Sequence, residues 1–187
     1  MRTILLVSFA LGAVSAAAAA SAAPAAPAPP TADPWAQVRS LEGEWTGVAD
    51  GEPGVGTVHR SYQFILGHRF LHERNVSAYS PKQPNTPGEV HEHWSFISYD
   101  KQRKRLVMRQ FHQEGFVNQY VLVAEESNAT RFVFASEAFE NLDGRWRARE
   151  TYEVRSPNEL SETFELAEPG KEFQVYSRNS FKRVTTP

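Results

Sequence analysis

From Trp45 to Val184 the chain offers ten short β-strand patterns in succession, divided by turn signals, with no convincing helix between them. Strands joined by short turns cannot make parallel crossovers, which need about a dozen residues or more, so neighbours must pair antiparallel. Closure then removes the two unpaired edges of such a sheet. The expected fold is all-β, a single antiparallel up-and-down barrel of about ten strands, with a flattened two-sheet sandwich as the alternative. A barrel of this strand number is wider than the eight-stranded kind that side chains can fill, which implies an internal cavity.

The strand patterns fall at residues 44–49, 57–65, 68–79, 90–99, 105–112, 116–124, 131–140, 145–154, 159–167 and 173–184. Three glycines and a proline in residues 50–56 force the first turn, and Leu66-Gly67 makes a tight reversal. Residues 80–88, with three prolines and a glycine, form the longest loop, a natural barrel mouth. In Asn141-Leu142-Asp143-Gly144 the Asp-Gly pair is expected to supply the positive φ of a hairpin turn. Ahead of the first strand, Asp33 and Pro34 make a helix start, and Trp35, Val38 and Leu41 recur at helical spacing. A short N-terminal helical turn should therefore plug one end of the barrel.

The extreme N-terminus reads differently. Residues 1–23 carry Arg2, an apolar run and repeated Ala-x-Ala, the pattern of a signal peptide cleaved after Ala20 or Ala23, so a secreted or periplasmic location is expected. The apolar run is too short to span a bilayer as a mature helix, and stable membrane insertion is not expected. Residues 24–34 are an Ala/Pro-rich linker, and residues 35–187 form the barrel domain. With no cysteine the domain must hold by packing alone. Removing Arg2 with the leader leaves 19 basic and 22 acidic residues, a formal charge of −3, which argues against nucleic acid as a partner. The local cluster Lys101, Arg103, Lys104 and Arg105 reads as a solvated hairpin turn.

Candidate chemistry lies in polar groups on faces that should be apolar. In the eighth strand Glu150 shares the alternation of Trp146, Ala148, Tyr152 and Val154; in the ninth, Glu162 shares that of Leu160, Phe164 and Leu166. Two carboxylates thus turn inward and need compensation, for which Arg74, Arg109 and Arg178 are the candidates. Arg74 shares a face with Phe70, His72 and Val76, so His72 is expected inside too. Tyr176 and Arg178 stand two apart on the last strand. The candidate ligand-binding residues are therefore His72, Arg74, Arg109, Glu150, Tyr152, Glu162, Tyr176 and Arg178. His91 and His93 could ligate one metal with His72 as third ligand, but the other face of that strand, Val90, Glu92, Trp94 and Phe96, reads as the buried one, and no metal or cofactor is expected. There is no Gly-x-Ser-x-Gly elbow, phosphate-binding loop or cysteine nucleophile, and no catalytic residue is assigned.

A helical turn followed by Gly43-Glu44-Trp45 at the start of the first strand resembles the signature of lipocalins and their calycin relatives. The resemblance implies that Trp45 closes the barrel base under an arginine from the last strand, Arg183 or Arg178. The stretches Ile65-Leu66-Gly67-His68-Arg69-Phe70-Leu71 and Ile97-Ser98-Tyr99-Asp100 resemble a bacterial lipocalin-like family of unknown function. Ten strands rather than eight bring the plan closer to fatty-acid-binding proteins and nitrobindin-like haem barrels. In the former an Arg-x-Tyr pair grips a carboxylate, an order reversed here in Tyr176 and Arg178. In the latter a histidine late in the chain holds haem, whereas the last histidine here is His112, so the resemblance brings no haem. The functional expectation is a secreted or periplasmic binding protein for a small hydrophobic or amphipathic molecule. The alternatives are a cavity enzyme of isomerase or lyase type, pairing His72 with Glu150 or Glu162, and a non-catalytic interaction module of the cell envelope.

Overall fold

The computed structural model describes residues 33–83 and 85–185. The expected signal peptide and nearly all of the linker lie outside the described residues. The strands are β1 (Gly43–Gly51), β2 (Gly56–Ile65), β3 (Phe70–Tyr79), β4 (Glu89–Asp100), β5 (Arg105–His112), β6 (Val117–Leu122), β7 (Arg131–Glu140), β8 (Arg147–Ser156), β9 (Glu159–Ala167) and β10 (Gln174–Arg183). Each pairs antiparallel with its sequence neighbours, and β1 pairs with β10 to close the barrel. The all-β, ten-stranded antiparallel barrel read from the sequence is the fold. Among the described residues no helix is long and apolar enough to cross a membrane.

Period-two alternation is clearest on β2, where Val58, Arg60, Tyr62 and Phe64 are buried and Thr57, His59 and Gln63 are exposed. The same alternation places Leu71 on β3, Ile97 on β4, Leu106 on β5, Leu160 on β9 and Phe181 on β10 in one continuous core. Val38 and Leu41 cap this core from the N-terminal side and are fully buried. The expected helical turn is a run of turns ending in a single 3-10 turn, Arg39–Leu41. Asp33 starts it as anticipated, its carboxylate accepting the Trp35 N–H at 3.0 Å.

The base is closed by Trp45 and Arg183, which face each other across the β1–β10 pair. The Trp45 indole N–H donates to the Leu41 carbonyl at 2.7 Å. The Arg183 guanidinium lies 4.1 Å from the Trp45 ring centroid. It also donates to the carbonyls of Pro157 at 2.8 Å, Ser40 at 2.7 Å and Glu42. One side chain thus ties the entering segment, the β8–β9 turn and the barrel seam together. Of the two arginines considered, Arg183 takes this place; Arg178 stands opposite Asp50 and is exposed. Gly43 is required beside it: its φ is +123°, and a Cβ there would sit 2.7 Å from Arg183 Nη1.

One turn differs from expectation. The positive φ between β7 and β8 belongs to Asn141, at 60°, and Gly144 is not among the left-handed residues. Asp143 acts as a side-chain cap instead, accepting the Arg145 N–H at 3.0 Å.

Arg183→Ala removes a stacked cation and three charge-assisted hydrogen bonds, so it should lower stability by about 2–3 kcal/mol. Arg183→Lys keeps the charge without the planar fork and should recover less than half of the loss. Urea denaturation of both variants checks this; equal stability of the lysine variant and the parent protein would contradict it.

Candidate functional site

Above the apolar base the barrel interior turns polar, and Arg60 is its centre. Arg60 is 1% exposed. Its guanidinium meets Glu73 at 3.0 Å and Glu162 at 2.6 Å, donates to Asn75 Oδ1 at 2.9 Å and to the Tyr62 hydroxyl at 3.3 Å, and lies 4.7 Å from the Phe181 ring centroid. Burial opposes its charge, but Glu162, Tyr62 and Glu73 outweigh that cost and hold the guanidinium firmly protonated. Burial likewise disfavours the Glu73 carboxylate, yet Arg60 and then His93 pull its pKa down to about 2. Asn179 donates to Glu162 at 3.1 Å.

Glu150 completes the layer and behaves oppositely. The Tyr152 hydroxyl donates to it at 2.6 Å. Burial, then the negative charges of Glu162 and Glu73, push its pKa up to about 8. With one guanidinium among three carboxyl groups, Glu150 is the one that keeps its proton near neutrality.

Nearer the mouth, three imidazoles converge. His91 and His93 alternate onto the inner face of β4, and His112 on β5 is the register partner of His93. The three ring centroids are 5.4–5.5 Å apart. His91 Nε2 lies 3.4 Å from His93 Nδ1 and 3.4 Å from His112 Nδ1. The outward nitrogens meet polar partners: His93 Nε2 is 3.3 Å from Glu73, His91 Nδ1 is 2.8 Å from Glu114, and His112 Nε2 is 3.2 Å from the Asn118 amide. Burial, then charge on His93 and His91, holds the His112 pKa down at about 3. Gln113 fixes the strand pair: its backbone N–H donates to Glu92 at 3.0 Å and its side chain to the Val90 carbonyl at 2.6 Å.

Of the ligand-binding candidates taken from the sequence, the structure brings Glu150, Tyr152 and Glu162 together inside. His72 and Arg74 lie on the outer face of β3, because the buried alternation there is Leu71, Glu73, Asn75 and Ser77. His72 packs against Trp94 and Phe96 at 5.2 and 4.9 Å, and Arg74 pairs with Glu92 at 2.8 Å. Arg109 is outside with Glu140, and Arg178 is outside as well. Tyr176 sits at a β-bulge between Val175 and Ser177 and, like Arg178, is exposed. Its ring meets Phe164 edge-on at 5.7 Å, at the rim of the mouth. Strand β4 is turned opposite to expectation, with Val90 56% and Trp94 45% exposed and His93 buried. The pairing of His72 with Glu150 or Glu162, and the His91-His93-His72 ligand set, are therefore ruled out by the barrel wall. Arg60, Glu73, Asn118 and His112 were missed. Arg60 was within reach of the sequence, since it alternates with Val58, Tyr62 and Phe64.

No family model and no curated protein matches the sequence. Among solved structures, the chain is similar to the crystal structure of Rv2717c from M. tuberculosis, with a TM-score of 0.60 and 11% identity over 82% of this chain and 99% of that one. A weaker likeness, TM-score 0.41 and 13% identity over 81% of this chain and 99% of that one, is to a de novo designed fluorescence-activating β-barrel. At such identity the first of these shows the barrel fold alone.

Two outcomes follow for the ionic layer. Arg60→Met leaves Glu73 and Glu162 buried without a cation and should cost about 3–5 kcal/mol in denaturant unfolding. Glu150 has a folded pKa above its unfolded value, so the stability it contributes at low pH is lost as pH rises from the normal glutamate range through about 8. Glu150→Gln does not titrate, so its stability relative to the parent protein should improve steadily between pH 5 and pH 8; a difference independent of pH would refute the assignment.

Proposed function

We propose that the protein is an exported binding barrel that holds a small amphipathic molecule in the upper half of its interior. One observation carries this reading: above the ionic layer the inner wall is divided into a polar and an apolar half. Strands β3 to β6 present Ser77, His91, His93, Gln110, His112 and Asn118, whereas β7 to β9 present Phe139, Ala148, Phe164 and Leu166. A molecule with a polar end and an apolar body matches such a wall. Its body would gain about 25 cal/mol per Å² buried, and the convergent polar groups would fix its orientation.

The ionic layer sets the depth. Arg60 is already engaged by Glu73 and Glu162, so the layer is a floor rather than a receptor for a second charge. At the rim a groove of about 420 Å³ is lined by Trp146, Leu166, Val175 and Tyr176 among others, and continues the apolar half outward. Phe164 and Leu166 are only part-buried and packed against the core, which leaves them available to a ligand from the mouth. The signal-peptide pattern of residues 1–23 supports export.

Native mass spectrometry of the mature protein purified from its source should reveal a non-covalent organic adduct that organic solvent releases. With 8-anilinonaphthalene-1-sulfonate as a probe, Phe164→Arg should weaken binding by about tenfold or more, through lost apolar burial and a new charge, while Trp94→Ala on the outer wall should not. Binding that survives Phe164→Arg but falls with Trp94→Ala would place the site outside and overturn the reading.

A further inference from the structure

We infer that His91, His93 and His112 form a three-histidine site for a divalent cation of the zinc class at the barrel mouth. The spacing is the first argument. A metal–nitrogen bond of about 2.0–2.1 Å at tetrahedral angles separates neighbouring ligand nitrogens by about 3.3–3.4 Å. His91 Nε2 lies 3.4 Å from each of the other two inward nitrogens, and the three ligand atoms fall within 4.8 Å of one another.

The second argument is the orientation of the rings. Glu114 accepts from His91 Nδ1 at 2.8 Å, and buried Glu73 faces His93 Nε2 at 3.3 Å, so both N–H groups point away from the centre and both lone pairs point into it. Asn118 is 2% exposed, and its Oδ1 has no partner. Turning that amide over brings the oxygen to the position 3.2 Å from His112 Nε2 and 2.9 Å from the Tyr120 hydroxyl, where it accepts the third imidazole N–H and the hydroxyl proton and leaves His112 Nδ1 free. Every ligand then has the outer acceptor that metal-bound histidines require. Three converging lone pairs repel one another unless a cation lies between them.

Support and access complete the case. His91 and His93 are two apart on one strand, His112 is in register opposite, and the two Gln113 bonds hold β4 against β5. The His91 side chain is 25% exposed, so an ion reaches the site from the mouth without opening the barrel. Among the described residues the group comprises three histidines only, which leaves a fourth position for water or an exogenous ligand.

The test is calorimetric titration of the metal-stripped barrel with Zn²⁺, with Co²⁺ absorption reporting the coordination geometry. The expected result is one Zn²⁺ per chain and a tetrahedral Co²⁺ spectrum. His91→Ala should weaken Zn²⁺ by more than about 100-fold and Glu114→Gln by about 10–100-fold. Both positions are part-exposed, so circular dichroism should show folded variants. A triple variant of the histidines outside the cluster, His59→Ala, His68→Ala and His72→Ala, should bind as the parent protein does. No stoichiometric uptake by the folded chain, an octahedral Co²⁺ spectrum, or equal weakening in the triple variant would overturn the inference. It stands apart from the amphipathic-ligand reading: a barrel that takes Zn²⁺ but no organic probe keeps one and removes the other.

Discussion

The buried Arg60 guanidinium is the interaction on which the interior of this barrel depends. A lone charge in such a place would be prohibitively costly, and Glu73 and Glu162 make it tolerable by approaching from β3 and β9 on either side of β2 and β10. Three carboxyl groups then share one cation, and the imbalance is met by leaving Glu150 protonated against Tyr152. The gain is less in stability than in position. Glu73 is held by Arg60 on one side and faces His93 on the other, so the ionic layer fixes the orientation of a ring in the mouth.

This layer divides the barrel by chemistry. Below it, aliphatic and aromatic side chains pack against the plug formed by Val38, Leu41 and Trp45, with Arg183 locking the seam. Above it, the inner wall is polar on β3 to β6 and apolar on β7 to β9. The outer face of β3 to β5 is correspondingly aromatic: His72, Trp94, Phe96 and Phe111 meet one another edge-on or tilted outside the wall. Side chains that look like core on these strands therefore cover the exterior, while those that look like surface line the mouth.

That inversion explains which parts of the site were legible. Glu150 and Glu162 could be placed inside because β8 and β9 carry apolar neighbours at the same alternation, as most buried strands do. On β3 and β4 the rule that the apolar face points inward gave the wrong face, and His72 and Arg74 went with it. His112 became a partner of His93 only through the β4–β5 register, a relation between residues that no local pattern contains.

By itself the sequence determined the strand number and the antiparallel order, because turn chemistry every eight to twelve residues leaves no room for parallel crossovers, whereas closure rather than a two-sheet sandwich was decided by the pairing of β1 with β10. The seam at Trp45 was decided by the folded barrel, where Gly43 takes a φ of +123° against Arg183, whereas the sequence alone admits Arg178 in the same role. Which face of each strand points inward, which arginine meets the buried carboxylates, and which histidines converge were decided by the tertiary structure. Alternation separates two faces but does not say which is inside; the curvature and register of the closed barrel do, and here they enclose a polar mouth that hydrophobicity could not identify.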